Sequence, residues 1–105
     1  MLRVEDNSRS QSRFRMGAKA EISWKGRTVE GTRREVYARH VGDRWLFFER
    51  EKRYDQWQRL EQPALDDWLE LLDSVRRRIA RRLLRPEEES QLVRTILERF
   101  PGTEL

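Results

Sequence analysis

No cysteine occurs among the 105 residues, which excludes disulfides, thiolate nucleophiles and cysteine-based zinc sites. Histidine occurs once, at position 40, so no pair of imidazoles can hold a metal. Glycine numbers five and proline three, and no glycines are spaced as a phosphate-cradling loop. No serine sits in a nucleophile-elbow context. No apolar run approaches the roughly 20 residues that a membrane-spanning helix needs. Residues 1–13, MLRVEDNSRSQSR, lack the apolar core of a signal peptide. These absences predict a cytoplasmic chain without cofactor, metal or small-molecule substrate, and one that is not an enzyme.

What is present is charge and aromatic surface. Charged residues make up 40% and hydrophobic residues 36%, a balance that leans towards disorder. Four Trp, four Phe and two Tyr argue for a packed core instead. The length suits one domain with a limited core. Net charge is +4, from 23 basic against 19 acidic residues. Only Lys19, Lys25 and Lys52 among the basic residues are lysine; the rest are arginine, the side chain suited to bidentate phosphate and carboxylate contacts. An arginine-favouring codon usage is the simpler source of that bias.

Residues 1–13 read as a flexible tail preceding a single domain over 14–105. From Phe14 to Trp24 apolar and polar residues alternate strictly, the pattern of a half-buried strand. Lys25-Gly26 is expected to turn the chain, pairing Trp24 with Arg27 and Ile22 with Val29, with a second strand over 27–32. Glu35 to Val41 and Arg44 to Arg50 form a hairpin about Gly42-Asp43, with glycine at the first position of a type II′ turn. That register sets Ala38 opposite Phe47, Tyr37 opposite Phe48 and His40 opposite Trp45. Val36, Ala38, Trp45 and Phe47 then share one face, and Tyr37, Val41, Leu46 and Phe48 the other. Both faces are apolar, so each needs a cover. A turn at Glu51-Lys52 and a final strand over 53–60 would place Trp57 opposite Leu46.

Residues 63–85, PALDDWLELLDSVRRRIARRLLR, carry Leu65, Trp68, Leu69, Leu72, Val75, Ile79 and Leu83 on one helical stripe, flanked by Leu71 and Leu84. Pro63 falls in the first turn. Pro86 stops this helix and starts a second over 86–100, whose apolar face is Leu92, Val93, Ile96, Leu97 and Phe100. The expected fold class is α+β: an antiparallel β-meander of three to five strands, about 14–60, followed by two C-terminal helices packed on one face.

Three groups could carry function. Arg77, Arg78, Arg81 and Arg85 lie opposite the apolar stripe of the long helix and would offer anions or nucleic acid a basic face, with Arg9, Arg13 and Arg15 as helpers. The same helix carries Asp66, Asp67, Glu70 and Asp73 in its first half, so the helix dipole alone rewards this distribution. The aromatic residues Tyr37, Trp45, Phe47, Phe48, Tyr54 and Trp57, beside Arg39, Arg44 and Arg53, could stack bases, although such a set usually forms core or interface. His40 lies mid-strand among apolar neighbours and is expected to be structural. The carboxylates at 66, 67, 70 and 87–89 suit first turns of helices rather than acid–base chemistry.

The leading expectation is a small non-enzymatic binding or adaptor domain. It would act through protein–protein contact or self-association as a homodimer, with Tyr37, Leu46, Phe48 and Trp57 at the interface. The alternative is nucleic-acid binding through the arginine face of the long helix.

Overall fold

The structure is a computed structural model that describes residues 21–105. The expected tail over 1–13 and the first half of the alternating stretch, 14–20, lie outside the described residues. Four strands form one antiparallel sheet in the order β1-β2-β3-β4: β1 Glu21–Arg27, β2 Arg33–Val41, β3 Arg44–Arg50 and β4 Gln58–Leu60. Two helices follow, α1 Leu65–Ala80 and α2 Pro86–Arg99. The α+β class, the antiparallel sheet and the C-terminal helix pair are those the patterning predicts.

The β2–β3 hairpin has the expected register, with Tyr37 facing Phe48, Ala38 facing Phe47 and His40 facing Trp45. Gly42 takes φ +62° at the first central position of the turn, which a residue with a Cβ resists.

The first hairpin differs from its expected form. Lys25 and Gly26 are inside β1, paired with Glu35 and Arg34, and the turn lies five residues further on. Residues 27–32 are therefore not a strand. Thr28 makes the turn: its N–H donates to the Thr32 carbonyl at 2.7 Å, and its hydroxyl accepts from the Thr32 N–H at 3.1 Å. Gly31 supplies φ +87°. The observed register pairs Ile22 with Ala38 and Trp24 with Val36. A two-residue turn would set Ile22 against Val29 and leave Val36 without a partner on its face. The gain in matched apolar pairs outweighs the shorter loop.

The last strand is shorter than expected. Residues 51–55 turn, held by the Lys52 N–H on the Asp55 carboxylate at 3.2 Å and the Asp55 N–H on the Lys52 carbonyl at 2.9 Å. Leu60 then faces Phe47, and Trp57 precedes the strand instead of opposing Leu46. In this register Leu60 packs against the core.

Helix α1 ends at Ala80, five residues before the expected stop at Arg85. Arg82 adopts φ +63°, with its N–H on the Ile79 carbonyl at 2.9 Å and the Leu83 N–H on the Arg78 carbonyl at 2.7 Å. This is a Schellman ending built on arginine where glycine is usual. It reverses the chain early enough for α2 to return along α1. Leu83, expected on the stripe, is 62% exposed as a result, while Leu84 packs on the core. Pro63 is buried ahead of the cap residue Ala64, outside the first turn. Pro86 opens α2 with Glu87, Glu88 and Glu89 behind it, where the helix dipole favours acid. Leu97 is 38% exposed and stands outside the core, so the inner face of α2 is Leu92 and Ile96 with Val93 and Phe100 beside them.

The core lies between one sheet face and the helices. Ile22, Val36, Ala38 and Phe47 meet Trp68, Leu71, Leu72, Val75, Leu92 and Ile96, all essentially buried. Phe47 is its pivot: its ring lies 4.6 Å from Trp68 and 6.0 Å from Trp24, both edge-on. Arg34 fastens the start of α1 to the sheet. Its guanidinium donates to both Asp67 oxygens, at 2.9 and 3.2 Å, and to Glu49 at 2.8 Å. The Asp67 hydrogen bond, helped by Glu49, raises the Arg34 pKa above its ordinary value despite the cost of burial.

Candidate functional site

The helices cover the sheet face that holds Phe47, and among the described residues no element covers the opposite face. Side chains alternate along a strand, so the register fixes what this open face carries. At its centre Tyr37 and Phe48 are cross-strand neighbours, their rings stacked 4.8 Å apart. Trp57 turns over them, edge-on to Tyr37 at 4.7 Å, and remains 36% exposed. Leu46 lies two residues from Phe48 on the same side. The four predicted interface residues Tyr37, Leu46, Phe48 and Trp57 are thus brought to one surface.

Arginines partly roof this cluster. Arg50 lies 4.2 Å above the Trp57 ring, and Arg39 sits 5.8 Å from Tyr37 and 5.9 Å from Phe48. Burial raises the Tyr37 phenol pKa, a shift that Arg39 opposes.

The rest of the open face is basic. By register β1 contributes Lys25 and Arg27, β2 Arg33 and Arg39, β3 Arg44 and Arg50, and β4 Arg59. Against these seven cations stand two carboxylates, Glu21 and Glu35. Both are spoken for: Glu21 pairs with Arg39 at 2.8 Å, and Glu35 with Arg50 at 2.8 Å. Lys25, Arg33, Arg44 and Arg59 make no ion pair among the described residues. Five acids lie instead on the helix side in the first turns of α1 and α2, namely Asp66, Asp67, Glu87, Glu88 and Glu89. The open face is thus aromatic at its centre and cationic around it.

The aromatic set expected beside the arginines divides. Phe47 is 1% exposed in the core, and Trp45 is on the helix side, stacked on His40 at 4.4 Å. Tyr54 is solvent-exposed in the β3–β4 turn near Lys52. His40 places Nδ1 3.3 Å from a Glu88 oxygen and joins the sheet to α2.

The four helix arginines do not share a helix face, because α1 stops at Ala80. Arg77 donates to the Asp73 carboxylate and to the Ser74 hydroxyl at 3.1 Å. Arg78 is half-buried. Arg81 and Arg85 are exposed in the turn between the helices. Neighbouring Arg76 pairs with Glu89 of α2 at 2.7 Å.

A cleft of about 840 Å³ opens between the β1–β2 loop, the β3–β4 turn and the start of α1, with the Arg34–Glu49–Asp67 ion group in its wall. Among the described residues no three His, Asp or Glu side chains are gathered to hold a metal, and no helix is long and apolar enough to cross a membrane. Comparison of the chain with family models, curated proteins and solved structures gives no match.

The sequence pointed to the aromatic centre of this face and, at Arg39 and Arg44, to part of its basic rim. Arg33, Arg44 and Arg59 carry no motif. Only strand parity identifies them: Arg44 follows from the alternation of β3, Arg33 from β2 beginning at that residue, and Arg59 from the register of β4.

Proposed function

We propose that the protein is a non-enzymatic binding module whose working surface is the open sheet face, and that its partner there is anionic. The observation that carries this reading is the excess of seven cations over two ion-paired carboxylates around Tyr37, Phe48 and Trp57. Charge complementarity favours an acidic partner. Pairing this face with its own copy about a two-fold axis would set cation against cation, so the charge pattern speaks against a homodimer formed there. Any self-association would use a different surface.

The test compares two sets of substitutions on a heparin column. Arg33→Gln, Arg44→Gln and Arg59→Gln together should lower the eluting salt concentration markedly, because these exposed residues hold no ion pair among the described residues. Arg77→Gln, Arg78→Gln, Arg81→Gln and Arg85→Gln together should lower it much less. The reverse ranking would move the site to the α1–α2 side and overturn the proposal.

A further inference from the structure

We infer that the anionic partner of the open face is single-stranded nucleic acid, bound with bases stacked on Trp57 and Tyr37 and with its phosphates on the surrounding arginines. This rests on the reading of that face as a site for an anion, and adds the chemistry that distinguishes a nucleotide strand from other polyanions.

A purely electrostatic site needs cations and no rings. Here three aromatic side chains occupy the centre of the cationic field, and no described element covers them beyond the arginines beside them. Trp57 is the most exposed of the three, and its upper side is met by a guanidinium, not by an apolar residue. A guanidinium stacked on an indole is a cover that can leave: it swings to a phosphate, keeps a charged partner, and frees the ring for a base. Arg39 stands in the same relation to Tyr37 and Phe48. Each of these arginines is also bonded to a carboxylate, Glu21 or Glu35, which a phosphate can replace.

The rim cations lie on all four strands, so the charge runs across the sheet and not along one groove edge. A flexible single strand can follow such a path with its bases turned inwards. A duplex cannot, because its bases are stacked on one another and its phosphates lie outside. Base stacking on aromatic side chains needs no sequence-specific hydrogen bonds, so the expected binding is sequence-tolerant.

The experiment titrates the full chain with a single-stranded oligothymidylate of about twelve nucleotides, a length within the range such faces occupy. A duplex of equal length and polyglutamate are the comparison ligands. The single strand should bind at least about ten-fold more tightly than either, quench tryptophan fluorescence, and lose affinity with salt at a slope of about −3 for four to five phosphate contacts. Trp57→Ala should abolish most of the quenching and weaken binding about ten-fold, and Trp57→Phe should restore the affinity. Circular dichroism checks that each variant is folded; Trp57 lies outside the core, so both should be. Equal binding of duplex or polyglutamate without quenching would overturn the nucleic-acid inference and leave the anionic reading standing. No binding of any of the three polyanions would overturn both.

Discussion

Replacing Arg34 with methionine removes the one cation that serves Asp67, whose side chain is only 8% exposed. Both Asp67 oxygens accept from that guanidinium, at 2.9 and 3.2 Å. No other side chain donates to them among the described residues. Breaking a buried pair on one side typically costs about 3–5 kcal/mol, because the remaining charge stays desolvated. Glu49 is 36% exposed, so its share is that of a surface pair, about 0.2–1 kcal/mol. The open cleft beside Asp67 admits water, which places the total near the low end, about 3 kcal/mol. That is a substantial part of the about 5–15 kcal/mol by which native proteins are stable. In urea, with a slope of about 1 kcal/mol per M, the midpoint should fall by about 3 M. Arg34→Met combined with Asp67→Leu should recover most of the loss, since the lone buried charge is gone. A fall below about 1 M for the single variant, or a double variant no more stable than the single one, would refute the assignment of a buried ion pair.

Two smaller effects follow from the same geometry. Arg82→Gly should raise stability by about 1 kcal/mol, because glycine adopts φ +63° without strain and the Schellman bonds use only backbone. Calorimetry should show a melting temperature higher by several degrees, and a lowered one would contradict the strain argument. In a Tyr54→Phe background, Tyr37 should ionise above the usual tyrosine value of about 10, because burial opposes the phenolate. The folded state then holds the Tyr37 proton more tightly than the unfolded chain. Its contribution to stability is present below about pH 10 and lost as pH rises through the folded-state pKa. A tyrosinate absorbance midpoint at or below 10 would show Tyr37 to be solvated.

Local periodicity was enough for the elements that depend on it. The alternation in residues 35–50 around Gly42 determined β2, β3, their register and the turn between them. The heptad-like spacing of Leu65, Trp68, Leu72 and Val75, and Pro86 at the start of the second helix, determined the helix pair. The same alternation placed Tyr37, Leu46 and Phe48 on a common side. These features depend on neighbours within a few residues, and short-range sterics and hydrophobic pattern decide them.

Tertiary structure decided the rest. Lys25-Gly26 is a better local turn signal than Thr28–Thr32, yet the sheet takes the longer loop because Trp24 and Ile22 then meet Val36 and Ala38 above Phe47. Helix α1 could run to Arg85 by its own pattern, yet it stops at Ala80 because α2 must turn back to bury Leu92 and Ile96. Those two choices remade the candidate site. The early stop breaks the helix arginines into separate settings, the shifted β1 register sends Lys25 and Arg27 to the same side as Tyr37, and the longer β2 adds Arg33 there. Arginine density along the chain marks the long helix; arginine density in space marks the open sheet face, since only packing determines which side of a strand is left to solvent.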